Sequence, residues 1–277
     1  MPKKRGKKKV EGKKFERKKA KRRKVRKKRS KKSILLLLLF AALIIGVASY
    51  LGFHGLSQHP EKKTIIRKAA IIDGLSEDAP NPGLISEMSR LLKSAGYEVT
   101  VFNGSKVNIE LFKNLPKMGF RLIIMRLHGG RIRQPIGLFI GSGIFAEPFS
   151  EGKYEYEYYS GYFLKGVAYI GGKEYFVITP AYVSEKFKGR FPGSAIIILS
   201  CYSMWDQVLA SSFIKKGASI FVGIDRKVDV QHLDKVGLEI VKQISQGASV
   251  EEAVSKTAEK IGPDPQTGAR LLYVKRG

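Results

Sequence analysis

The sequence predicts an α/β domain: a three-layer sandwich in which helices cover both faces of a mostly parallel sheet, preceded by one transmembrane helix. Three observations predict it. Between residues 64 and 127, apolar runs alternate with amphipathic stretches in the order strand, helix, strand, helix, strand. "SAIIILS", residues 194–200, is a short continuous apolar run of the kind that forms a central strand buried on both faces. Ile34 to Phe53 is a stretch of 20 residues without one charge. At about 1.5 Å per residue a helix of that length covers roughly 30 Å, the thickness of a bilayer core.

The chain ahead of that stretch differs in composition from the rest. Residues 1–33 hold 21 Lys or Arg against two Glu, about +19 of the total +27, so the remaining residues carry only about +8. A block of like charge with little to bury is expected to be a disordered tail. Positive residues stay on the cytoplasmic side of a span, which puts the tail in the cytoplasm and the C-terminal domain outside the cell membrane. A retained single-pass anchor at 34–53 is favoured over a cleaved signal, for which Val47-Ala48-Ser49 is the competing feature. The tail suits attraction to anionic lipid. Its one aromatic, Phe15, provides no base-stacking pattern, and sequence-specific nucleic-acid recognition is not supported.

After a polar linker at 54–63, the domain of 64–277 reads element by element. "TIIRKAAIIDG" is a strand ending at Asp73. "GLISEMSRLLKSAGY" is a helix with Leu84, Ile85, Met88, Leu91 and Leu92 on one face, stopped at Gly96. "YEVTVF" is a strand, "NIELFKNLPKMG" a short helix broken at Pro116, and "FRLIIMRL" the third strand. Residues 131–190 become rich in Gly and aromatics and read as an inserted region of β-hairpins and loops, with one turn at Gly171-Gly172. Parallel architecture then resumes with "SAIIILS". A helix in "WDQVLASSFIKKGA" and a strand in "SIFVGI" follow, then two helices and a last strand, "ARLLYV". Ser249 and Glu252 have the spacing of a capping box at the start of the second of those helices.

Ligands of an open parallel sheet bind beyond the carboxyl ends of its strands. Four reactive or charged side chains fall at such ends: Asp73, His128, Cys201 and Asp225. An imidazole can take the proton of a thiol, and the thiolate is the nucleophile. The glycines after His128 let the backbone turn and bring an N–H to a substrate carbonyl, where it and the Cys201 N–H would form an oxyanion hole. A helix starting near Trp205 would favour the thiolate further. Asp73 and Asp225 are candidates to bind a basic substrate side chain. The alternatives are that Asp73 caps a loop and that Asp225 caps a helix or pairs with Arg226. A single cysteine excludes an internal disulfide, and no His or Cys spacing suits a metal. No cofactor is implied. The absence of G-x-S-x-G argues against a lipase-like hydrolase, which His-Gly-Gly could otherwise indicate.

"IIMRLHGG" and "AIIILSCYSM" resemble the two signature places of the caspase-like cysteine peptidases, the group of gingipain, clostripain, legumain, separase and the CHAT domains. In that group one apolar strand ends in His-Gly and a later one in Cys. The stretch from Leu199 to Ile224 is especially similar to the CHAT pattern. The resemblance spans residues 64–277 but is specific only in the two short motifs. It implies a caspase-like sheet, His128 as general base and acid, Cys201 as nucleophile, and the backbone N–H groups of Gly129 and Cys201 as the oxyanion hole. The implied activity is cleavage of a protein or peptide through an acyl-enzyme. The chain departs from the caspase motif in having Ser200 before the cysteine and Tyr202 after it. A membrane-tethered, non-catalytic binding or scaffold domain is the competing expectation, and the oligomeric state is left open.

Overall fold

The computed structural model describes residues 36–50, 67–133 and 139–277, with a few helical residues between 17 and 24. The chain divides into two compact units, Met1–Thr64 and Ile65–Gly277. In the first, 36–50 is helical with exposed side chains. The ends of the expected span, most of the basic tail and the linker at 54–63 lie outside the described residues. Among the described residues, no helix is long and apolar enough to cross a membrane.

The second unit is α/β with a mostly parallel sheet. Its elements run β1 (Arg67–Asp73), α1 (Pro82–Ser94), β2 (Tyr97–Asn103), α2 (Ile109–Asn114) and β3 (Leu122–Arg126), then β4 (Gly129–Arg133) and β5 (Phe139–Pro148). α3 (Glu155–Tyr159), β6 (Phe163–Val167), β7 (Glu174–Ile178) and α4 (Pro180–Lys186) follow. The chain closes with β8 (Ala195–Leu199), α5 (Val208–Lys215), β9 (Ile220–Ile224), α6 (Val230–Ser245), α7 (Val250–Ile261) and β10 (Leu271–Lys275). The main sheet has the order β10-β9-β8-β3-β1-β2. Every pair in it is parallel except the edge pair β10–β9.

The pleat divides the sheet's apolar residues between two cores, because successive side chains point to opposite faces. Ala70, Ile72, Ile123, Met125, Ile196, Ile198 and Phe221 pack with α2, α4 and α5. Ala69, Ile71, Leu122, Ile124, Ile197, Leu199 and Val222 pack with α1, α6 and α7. α6 comes in tightly: a Cβ on Gly237 would stand 2.5 Å from a Leu199 methyl carbon. Helix ends are closed as their sequences demand. Asn81, Asn108 and Ser249 cap α1, α2 and α7, the last with the full capping box. The helix expected around Trp205 begins three residues later, at Val208, after a left-handed Gln207 with no side-chain cap.

The glycine- and aromatic-rich middle forms a second sheet, antiparallel, in the order β4-β5-β7-β6. It begins at Gly129, directly after the third strand of the main sheet. A chain of rings anchors it to the first core: Phe163 lies 4.4 Å from Tyr182, and contacts continue through Phe187, Phe191, Phe213 and Phe221. The β6–β7 hairpin turns at Gly171 and Gly172, both at positive φ, which glycine adopts without strain.

Candidate active site

Strand order reverses between β1 and β3, since β2 lies outside β1 while β3 and β8 lie on its other side. Arg126, the end of β3, pairs in register with Leu199, the end of β8. The Leu127 N–H donates to the Leu199 carbonyl at 3.1 Å and carries the pairing one residue farther. His128 and Cys201 therefore leave neighbouring strands at the same rim. Both line one cavity of about 800 Å³.

Glycine is required at position 129 by this junction. A Cβ there would lie 2.5 Å from the Cys201 carbonyl oxygen and 2.6 Å from Ser200 Oγ. Phe145 N–H donates to the His128 carbonyl, so Gly129 and Ile144 face each other in a non-hydrogen-bonded position. The Gly129 amide is thus left outside the β4–β5 ladder. Among the described residues, the Cys201 amide has no hydrogen bond to another residue. Among the described residues neither N–H is taken by another backbone carbonyl, and the Cys201 N–H faces its own sulfur, so both can serve as the donors an oxyanion hole needs.

The loop after β1 contributes a residue that sequence reasoning missed. His128 Nε2 lies 3.0 Å from Asp78 Oδ2. Asp78, only 2% exposed in its side chain, also takes Lys173 Nζ at 2.8 Å and the Tyr175 hydroxyl. Burial raises its pKa, but the hydrogen bonds from Lys173, Tyr175 and His128 outweigh burial and hold it below the usual carboxylate range. Asp78 is then an acceptor only, so Nε2 must carry the proton, and Nδ1 of the neutral ring holds the free lone pair. Burial lowers the His128 pKa against the opposing pull of Asp78, which keeps the ring neutral at pH 7. Phe145 and Tyr175 flank the ring, 6.0 and 5.6 Å away.

Cys201 is held by a rigid turn. Ser203 Oγ donates to the carbonyls of Ile198 and Ser200 and accepts from the Ile224 N–H. The Tyr202 N–H donates to the Arg226 carbonyl. Tyr202 itself sits at φ 60, a left-handed conformation that costs a bulky residue of order 1 kcal/mol or more. The thiol lies 3.5 Å from the Val228 N–H and 3.7 Å from the Val228 carbonyl, and it makes no hydrogen bond to His128. Burial raises its pKa, opposed by the Val228 amide and by Lys227. The helix-start effect expected to favour the thiolate does not prevail: the resting group is a neutral thiol.

Asp73 and Asp225 do not line this cavity. Asp73 caps its loop through the Leu75 N–H and binds Arg126 at 2.9 Å. Burial raises its pKa, with Arg126 opposing. Arg126, itself buried, also holds Asp234 at 2.6 Å and the Ala79 carbonyl at 2.9 Å, which fixes the loop that carries Asp78. Asp225 accepts from the Arg270 N–H and pairs with Arg226 at 3.3 Å. Among the described residues, no group of three His, Cys, Asp or Glu is placed to hold a metal ion. Neither the known protein-family models nor the curated proteins return a match for this chain.

Proposed function

We propose that the folded unit is a cysteine peptidase of caspase-like fold, a three-layer sandwich with Cys201 as nucleophile and His128 as general base. The observation that carries this reading is the shared cavity: an imidazole whose Nε2 is held by Asp78 and a thiol from the neighbouring strand end, both in its wall. His128 Nδ1 takes the thiol proton, and Sγ attacks the scissile carbonyl carbon. The N–H groups of Gly129 and Cys201 stabilise the oxyanion. Nδ1–H then protonates the leaving amine as the C–N bond breaks, and a water deprotonated by the same nitrogen hydrolyses the thioester. Asp78 keeps the ring in the tautomer this sequence requires.

In the same proposal, residues 34–53 anchor the chain in the cell membrane, the basic tail lies on anionic lipid in the cytoplasm, and the domain faces outward. Support comes from the charge asymmetry about the uncharged stretch.

Cys201→Ala should abolish peptide hydrolysis while leaving the unfolding transition in place. Unchanged hydrolysis by that variant would remove the dyad. The half-buried neutral thiol, unbonded to His128 and followed by a strained Tyr202, favours a second reading, a tethered binding domain without catalysis. A peptide carrying an electrophilic ketone separates the two. A catalytic Cys201 is alkylated much faster than a free thiol at the same pH, and a binding domain leaves it unmodified.

A further inference from the structure

The cavity has a charge sign opposite to the one anticipated from Asp73 and Asp225. Its wall contains three cationic side chains, Arg131, Lys165 and Lys227, and one carboxylate, Asp229. That carboxylate caps α6 by accepting from the N–H groups of Gln231 and His232 at 2.8 and 3.2 Å and keeps its negative charge. Lys165 is neutralised by Glu174 at 2.8 Å. Arg131 and Lys227 are different. Among the described residues neither has a carboxylate partner, and each lies against aromatic faces instead. Arg131 stands 5.0 Å from the ring centres of Tyr202 and Trp205, and Lys227 stands 4.6 Å from that of Tyr169. The two cations also come from different segments that meet beside the nucleophile. Arg131 follows His128-Gly129-Gly130 on β4, while Lys227 precedes Val228, whose backbone brackets the Cys201 sulfur.

Resting on the peptidase reading of this site, we propose that the cavity recognises an acidic peptide, with Asp or Glu side chains near the scissile bond taken up by Lys227 and Arg131. Two cations without counter-ions repel each other's field and favour an incoming carboxylate, which adds to the ring contacts already made. A basic substrate side chain would meet two cations against the one carboxylate of Asp229, and such like-charge juxtaposition discriminates strongly between partners. The same wall also contains the apolar Leu164, Val167, Ile170 and Val177 on β6, β7 and their turn. An acidic segment that also carries apolar residues fits this lining.

The test uses the full chain and fluorogenic peptides that differ only in the residues flanking the cleaved bond: Asp and Glu, Asn and Gln, or Lys and Arg. The acidic peptides should be cut with kcat/KM about tenfold above their amide counterparts and more than that above the basic ones. Lys227→Glu and Arg131→Glu should each erase most of that preference, and the double variant should reverse it. Binding of the same peptides to Cys201→Ala, read by fluorescence anisotropy, gives the specificity without catalysis. Equal or tighter binding of the basic peptides by Cys201→Ala overturns the proposal. If basic peptides are cut best and Cys201→Ala abolishes that cleavage, the peptidase reading stands and acidic recognition falls. If no peptide is cut but Cys201→Ala still prefers acidic ones, the catalytic reading falls and the recognition stands.

Discussion

Two ionic assemblies stand side by side on the rim where β1 and β3 end, and their difference separates scaffold from site. The first joins Arg126 to Asp73, Asp234 and the Ala79 carbonyl, and every group in it has a partner inside the protein, with two carboxylates sharing one guanidinium. Arg126 and His128 lie two residues apart, yet only the second keeps an unused group. In the His128–Asp78–Tyr175–Lys173 assembly, Asp78 is saturated, while Nδ1 of the ring has no hydrogen-bond partner among the described residues. A closed set of charges can hold a loop in place. An open one can exchange a proton.

The comparison breaks most severely at Arg126. Arg126→Met would leave Asp73 buried and Asp234 half-buried without their counter-ion, and removing one partner of such a set costs about 3–5 kcal/mol. Urea unfolding of Arg126→Met should show that loss. Adding Asp73→Asn and Asp234→Asn to the same chain should recover much of it, because the cost lies in the stranded charges. A loss below 1 kcal/mol would mean that the network does not organise the rim.

A smaller and different effect is expected at Asp78. Asp78→Asn keeps the shape but removes the carboxylate that assigns the proton to Nε2. The amide can present either an oxygen or an NH₂ to the ring, and the second choice yields the wrong tautomer. We expect kcat to fall about 10²-fold with KM little changed. The acid limb of the pH–rate profile should move to lower pH, since Asp78 is what raises the His128 pKa against burial. An unshifted limb, or a loss confined to KM, would reduce Asp78 to a purely structural role.

Much of the rim was legible in the sequence, for a physical reason. Cys201 follows the continuous apolar run 195–199 and His128 an apolar run broken by Arg121 and Arg126, and such runs suit buried strands of a parallel sheet, whose carboxyl ends are the ligand-facing side. Asp78 was not legible. It lies in "LSEDAPNP", and its position depends on Arg126 holding the Ala79 carbonyl and on Lys173 and Tyr175 reaching across from β7 and its turn. Each of these contacts is distant in sequence. Asp73 and Asp225 do stand at strand ends and make the local contacts their alternatives named, with the Leu75 N–H and Arg226, while their other partners, Arg126 and the Arg270 amide, are remote in sequence. The second sheet was visible only as hairpin-rich composition. Its strands carry Gly129, Gly130, Gly141, Gly143 and Gly166, which interrupt the alternation that marks a strand.

The least expensive difference between the two assemblies should appear in the pH dependence of stability. His128 is neutral in the folded chain because burial lowers its pKa below the ordinary 6.5. As pH falls through 6.5, the unfolded chain takes up a proton that the folded chain does not. Stability tied to this ring is therefore complete above about pH 6.5 and declines as pH falls toward the lower folded value. Asp78, held below the carboxylate range, adds its own decline only at more acidic pH. His128→Gln, which retains a donor toward Asp78 but does not titrate, should remove the slope just below pH 6.5 and keep the more acidic one. Arg126 itself should contribute nothing to that first window, since its guanidinium keeps its proton throughout. If the slope below pH 6.5 survives in His128→Gln, the ring is not the group that titrates there, and its assignment as the neutral base of the cavity fails.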